Sequence, residues 1–106
     1  MNIVAVTACL TGIAHTYLAA ESLERHAKAK GIKIKVETQG AIGIENKITL
    51  EDIKKADAVI LTNNIEIEDV ERFEEKYILK VSVKDLVRNP DEVLQKVQDY
   101  VNGISS

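Results

Sequence analysis

The only cysteine of the chain, Cys9, lies in the stretch Val6-Thr7-Ala8-Cys9-Leu10-Thr11-Gly12-Ile13-Ala14-His15-Thr16. An apolar run, Ile3-Val4-Ala5-Val6, precedes it, and a run rich in Ala, Leu, Glu and Lys follows. A strand that turns sharply into a helix aims the first backbone N–H groups of that helix at one point. Those donors and the positive end of the helix dipole favour an anion there. A thiol at the same point ionises readily, because the field that holds an anion also holds a thiolate. An ordinary cysteine, with a pKa of about 8.5, is only a few per cent thiolate at neutral pH. A depression of two units is worth about 2.7 kcal/mol and makes thiolate the majority form. The stretch therefore reads as a nucleophilic cysteine in an anion-binding loop. Leu10, Thr11, Gly12, Ile13, Ala14 and His15 offer backbone donors, Thr11 and Thr16 offer hydroxyls, and Gly12 permits close approach.

The elements that position this loop follow from pattern. Residues 2–7 read as a buried strand. Residues 14–29 read as a helix with Ile13, Ala20, Leu23 and Ala27 on one face, stopped by Gly31. Residues 32–38 alternate apolar and charged, as an edge strand does, with Lys33 and Lys35 guarding the edge. Residues 39–47 read as a loop. Thr49 with Asp52 forms a capping box for a short helix. The continuous apolar run Ala58-Val59-Ile60-Leu61 marks a central parallel strand over 56–62, ended by Asn63-Asn64. A short helix over 66–76 carries Phe73 inward, and a fourth strand covers 77–83. Asn89 caps a last helix with Pro90 at its first position and Val93, Leu94, Val97 and Val101 as its buried stripe. Gly103 ends it, and residues 104–106 fray.

Strands alternating with helices predict an α/β three-layer sandwich. Its expected core is a four-stranded parallel sheet of order 2-1-3-4 with helices on both faces. In such sheets ligands bind beyond the carboxyl ends of the strands, where the strand order reverses. The cysteine loop would lie at that reversal, edged by Glu37, Thr38, Gln39 and Gly40 on one side and by Asn63 and Asn64 on the other.

Composition narrows the function classes. Hydrophobic residues are 45% and charged residues 29%, as in ordinary soluble domains, and the net charge is −3. That balance gives no basic footprint for nucleic acid. No run spans a bilayer and no signal peptide is expected. One cysteine makes no internal disulfide and fits a reducing cytoplasm, and two histidines with one cysteine lack metal-ligand spacing. No metal or cofactor is expected, and a monomer is.

Val4-Ala5-Val6-Thr7-Ala8-Cys9, followed by Thr11-Gly12-Ile13-Ala14-His15-Thr16-Tyr17, closely resembles the phosphocysteine loop of the fructose-type enzyme IIB. That family belongs to the bacterial phosphoenolpyruvate-dependent sugar phosphotransferase system. Val36-Glu37-Thr38-Gln39-Gly40, Ala56-Asp57-Ala58-Val59-Ile60-Leu61, Glu71-Arg72-Phe73 and Val81-Ser82-Val83 match as well, so the resemblance covers residues 2–98. One departure is Leu10, where the family usually has proline, which frees φ and adds an N–H. The resemblance implies a cytoplasmic relay at the inner face of the membrane. A IIA phosphohistidine protein would pass a phosphoryl group to Cys9. Cys9 would pass it to fructose or a related hexose held by a membrane IIC permease.

The loop also looks like that of low-molecular-weight tyrosine phosphatases, where cysteine, five residues and an arginine hold phosphate. The same count from Cys9 reaches His15. Hydrolysis needs a bidentate guanidinium and an acid, and this loop supplies neither. Two alternatives to the relay stand beside it: a cysteine phosphatase or arsenate reductase, and a non-catalytic docking domain. Plainer roles are open for single residues. Cys9 fits packing, His15 a cap, His26 a solvated face and Arg72 a surface ion pair. Glu37 and Gln39 fit plain loop structure, and the acidic run 66–75 fits a wet helix face or a surface for a basic partner.

Overall fold

A computed structural model describes residues 1–8, 13–40 and 43–103, with the side chains of residues 13–15 excepted. Strand β1, Asn2–Ala8, and strand β4, Ala58–Thr62, are buried almost throughout. Their unbroken apolar runs demand cover on both faces, which only a central position in a layered sheet provides. β1 pairs in parallel with β2, Lys33–Gly40, in register Ile3↔Ile34 through Ala8↔Gln39. On its other side β1 pairs in parallel with β4, Val6 facing Leu61. β4 pairs in parallel with β5, Ile78–Val81.

A short strand β3, Gly43–Glu45, folds back antiparallel on the end of β2. The sheet is therefore five-stranded and mixed, of order β3-β2-β1-β4-β5, rather than four-stranded and all parallel. The parallel part keeps the expected order, with the reversal at β1. β3 gives little signal in sequence because its three residues are all exposed and have no face to alternate. Its start at Gly43, with φ of 104°, is a conformation that glycine adopts freely.

Helix α1, Ile13–Ala29, lies on one face of the sheet with α3, Val83–Arg88, and α4, Pro90–Val101. Leu23, Ala27, Leu86, Leu94 and Val97 close over Ile3, Ala5, Ala58 and Ile60 there. On the other face, α2, Leu50–Lys55, and a single 3-10 turn at Val70–Phe73 cover Val4, Val6, Val59 and Leu61. Helices thus flank both faces, as the alternation requires.

Three local expectations change. Most of residues 66–76 is irregular, and only the 3-10 turn forms, although Phe73 is fully buried as its position demands. β5 stops at Val81 because Ser82 begins α3. The Ser82 hydroxyl accepts from the N–H of Asp85, and the Asp85 carboxylate accepts from the N–H of Ser82. The Thr49–Asp52 capping box on α2 is present as expected. Asn89 makes no side-chain cap, and Pro90 alone sets the start of α4. Replacing Ser82 with Ala is expected to cost about 1 kcal/mol, read as a lower urea midpoint at unchanged slope.

Candidate functional site

Cys9, Leu10, Thr11 and Gly12 lie outside the described residues, as do the side chains of Ile13, Ala14 and His15. What the structure describes is the frame that holds both ends of that span. β1 ends at Ala8 and α1 begins at Ile13, so the span joins the carboxyl end of a central strand to a helix N-terminus. The Ala8 N–H donates to Thr62 Oγ1 at 2.9 Å, and the Thr62 hydroxyl donates to the Ala8 carbonyl at 3.5 Å. Thr7 Oγ1 donates to the carbonyl of Thr16 at 3.3 Å, tying the strand to the first turns of α1. All of these groups are buried.

These threonines follow from strand periodicity. Thr7 continues the face that Ile3 and Ala5 present to α1, and Thr62 continues that of Ala58 and Ile60. Thr38 sits in register with Thr7 and is also buried. Where the apolar layer ends, hydroxyls replace methyls and reach backbone groups that α1 does not. Thr16 adds a further one. Its hydroxyl is buried and has no partner among the described residues. Buried polar atoms left without a partner are uncommon and call for an explanation. The first turn of α1 carries no acid, unlike those of α2, α3 and α4. No acidic side chain of that turn therefore offsets the positive end of its dipole.

The predicted site edge divides. Glu37 is fully buried on the face of β2 opposite α1, where its carboxylate collects four donors. Arg72 Nη2 approaches Oε2 at 2.6 Å and Arg72 Nη1 approaches Oε1 at 2.9 Å. The N–H of Ile48 donates to Oε1 at 2.8 Å, and Gln39 Nε2 donates to Oε2 at 2.7 Å. Burial pushes this carboxyl up, but the Arg72 guanidinium, the Gln39 amide and the Ile48 N–H together hold it below the ordinary glutamate range.

Arg72 is therefore no surface ion pair. Its side chain is 6% exposed, it also donates to the Ile48 carbonyl, and it stacks 4.6 Å from the Phe73 ring. Both terminal nitrogens are held by Glu37, and the remaining Nε is buried without a partner among the described residues, so the guanidinium presents no exposed fork to a phosphate. Gln39 grips the backbone of Glu68 at both ends, accepting from its N–H at 2.8 Å and donating to its carbonyl at 3.2 Å. Glu37 and Gln39 thus face a neighbouring segment, and Thr38 faces the threonine cluster. Gly40 pairs with Gly43 in the hairpin. Asn63 extends the β4–β5 ladder, and Asn64 Oδ1 accepts from the N–H of Val83 at 2.9 Å, fixing the start of α3.

One site-edge contact was not foreseen. The Tyr17 hydroxyl donates to Glu45 Oε1 at 2.6 Å and joins the first turns of α1 to β3. The pairing needs β3, which sequence pattern did not suggest. Its bond to a carboxylate raises the phenol above its usual range.

Comparison with known proteins gives a consistent result. Residues 4–96 match the family model described as the lactose/cellobiose-specific IIB subunit of the PTS system. The "PTS system fructose-like EIIB component 2" of Escherichia coli K12 is 52% identical over 100 residues, covering 94% of each chain. The "PTS system fructose-specific EIIABC component" of Bacillus subtilis 168 is 45% identical over 98 residues. That alignment covers 92% of this chain but 15% of the longer one. The crystal structure of a domain from the fructose-specific IIABC component of Borrelia burgdorferi superposes with a TM-score of 0.86. It is 49% identical and covers 91% of both chains.

Proposed function

The chain belongs to the IIB subunit family of the sugar phosphotransferase system, on its fructose-like branch, and from that premise we propose that Cys9 carries the phosphoryl group. On this reading residues 1–106 act as one phosphocysteine-carrier domain. The Cys9 thiolate attacks phosphorus of a IIA phosphohistidine in line, so that the S–P bond forms as the N–P bond breaks. A hydroxyl of fructose or a related hexose, held by a membrane IIC permease, then attacks the same phosphorus. The S–P bond breaks, Cys9 leaves as thiolate, and the hydroxyl gives up its proton to a general base beside the bound sugar.

Backbone donors from Leu10 through His15, with the Thr11 and Thr16 hydroxyls, hold the equatorial oxygens during both transfers. Neither step needs a cofactor. The Bacillus relative, named for joined A, B and C components, supports partners of these two kinds. Their docking would place the domain at the inner face of the membrane. Among the described residues no helix is long and apolar enough to cross a membrane.

The observation that carries this reading is the frame itself. The carboxyl end of β1 is tied at Ala8 to Thr62 and at Thr7 to the Thr16 carbonyl, the first turn of α1 holds no acid, and the buried Thr16 hydroxyl has no partner among the described residues. Commitment of Arg72 to Glu37 supports transfer over hydrolysis, since no guanidinium is supplied from that segment to service water. The test is mass spectrometry after incubation with phosphoenolpyruvate and the upstream phosphocarriers. The expected result is a gain of one phosphoryl group on Cys9. An unmodified Cys9, or a phosphoryl group on His15, overturns the assignment.

A further inference from the structure

At the carboxyl end of the sheet the two central strands separate. The ladder between β1 and β4 ends at the pair Val6 and Leu61. Beyond it β1 stays with β2, Thr7 beside Thr38 and Ala8 beside Gln39. β4 stays with β5, Thr62 beside Val81, and the N–H of Asn63 donates to the Val81 carbonyl at 2.8 Å. The opening falls where the strand order reverses, the place at which parallel sheets hold their ligands.

The Thr62 side chain crosses this opening. Its Oγ1 accepts from the Ala8 N–H at 2.9 Å, an ordinary bond length, and its own proton faces the Ala8 carbonyl over a longer 3.5 Å. One hydroxyl serves both, because it carries a donor and two acceptor positions. Thr62 is 2% exposed and Ala8 is fully buried, so bulk water does not compete for either group. Packing does not ask for the hydroxyl. Ala58 and Ile60 on the same face are apolar, and valine would fill the space of Thr62 and suit a strand as well. What threonine adds at this position is its hold on Ala8.

We propose that Thr62 is a positioning residue for phosphoryl transfer, fixing the backbone at Ala8 and through it the sulfur one residue on. The inference rests on Cys9 being the acceptor. A peptide unit is planar and rigid, so the Ala8 carbonyl and the N–H that follows it turn together. A hydroxyl that holds Ala8 therefore sets the direction in which the cysteine span leaves β1. In-line attack tolerates little error, since a displacement of about 1 Å costs about 10²-fold in rate. Thr62 is itself buried and offers a donor protein nothing to bind. Its effect therefore falls on the rate of transfer within the complex and leaves the affinity for the donor alone.

The test is single-turnover transfer from phosphorylated IIA protein, followed over a range of donor concentrations, with urea unfolding of each chain. Thr62→Val keeps the shape and removes the hydroxyl. Its rate at saturating donor should fall at least about tenfold, with the half-saturating concentration within about twofold of the unaltered chain. Thr62→Ser keeps the hydroxyl and should bring the saturated rate back to within about threefold. Val59→Ala thins the core on the opposite face of the same strand, and should lower the urea midpoint with the saturated rate unchanged. A Thr62→Val chain too unstable to assay is replaced by Thr62→Ala. Its smaller side chain admits a water that satisfies Ala8 without fixing it, and the same loss is expected.

Three results would reduce Thr62 to a structural residue and overturn the proposal while leaving Cys9 as acceptor. They are a saturated rate in Thr62→Val equal to that of the unaltered chain, equal losses in Thr62→Val and Thr62→Ser, and a loss in Val59→Ala matching that in Thr62→Val. A change confined to the half-saturating concentration overturns it as well. No transfer to the unaltered chain, or transfer to a residue other than Cys9, overturns the proposal together with the assignment of Cys9.

Discussion

Arg72→Met is expected to lower the unfolding free energy by about 3–5 kcal/mol, a large share of the stability of a domain this size. The cost arises from what the change leaves behind. Glu37 is fully buried, and without Arg72 it keeps only the Ile48 N–H and the Gln39 amide for a charge that water no longer reaches. The guanidinium also covers the Phe73 ring, so its loss uncovers apolar surface. Glu37→Met alone should cost a similar amount, by stranding the cation. The double variant E37M/R72M should cost much less than the sum, because a buried pair replaced by apolar side chains carries no desolvation penalty. Urea unfolding of the three variants gives the coupling directly.

Acid pH reads the same pair from the other side. The folded-state pKa of Glu37 is depressed, so its contribution is fully present above the ordinary glutamate value of about 4.3. It is lost as pH falls through the depressed value, because the unfolded state takes up the proton first. Unfolding free energy plotted against pH should therefore fall less steeply below about pH 4 in Glu37→Gln than in the unaltered chain. Equal slopes would show that the network does not govern the titration of this carboxyl.

Glu37 and Arg72 also mark where sequence reading reaches its end. They stand 35 residues apart, and nothing local pairs them. The alternation over residues 32–38 places Glu37 on a face, but its partner is supplied by an irregular segment with no periodicity to read. The outcome was different wherever the signal was local. The apolar runs of β1 and β4, the stripe of α1 and the Thr49–Asp52 box were legible because each is decided within a few residues. The Ser82–Asp85 box has the same spacing, yet Val81-Ser82-Val83 alternates like a strand, and the strand reading hid the helix start. Of the candidate site, the position of Cys9 between a strand end and a helix start was legible. The threonine bonds that pin the span were not, since Thr62 reaches Ala8 across 54 residues.

Cys9→Ser is expected to abolish phosphoryl uptake from the IIA donor, a loss of at least about 10³-fold, while leaving the urea midpoint unchanged. The size follows from ionisation. A thiol starts near pKa 8.5 and needs only a modest push to be mostly thiolate at pH 7, whereas a hydroxyl starts far higher, close to water itself. The field at the start of α1 is worth a few pKa units at most, enough for sulfur and far short for oxygen. Stability should not follow activity, because the described contacts that pin the span come from Thr7, Ala8, Thr16 and Thr62. Uptake measured by mass spectrometry and unfolding measured by urea therefore separate the two roles of this region. Full uptake by the serine variant would remove Cys9 from the reaction. Lost uptake with a lowered midpoint would instead make the thiol part of the packing that joins β1 to α1.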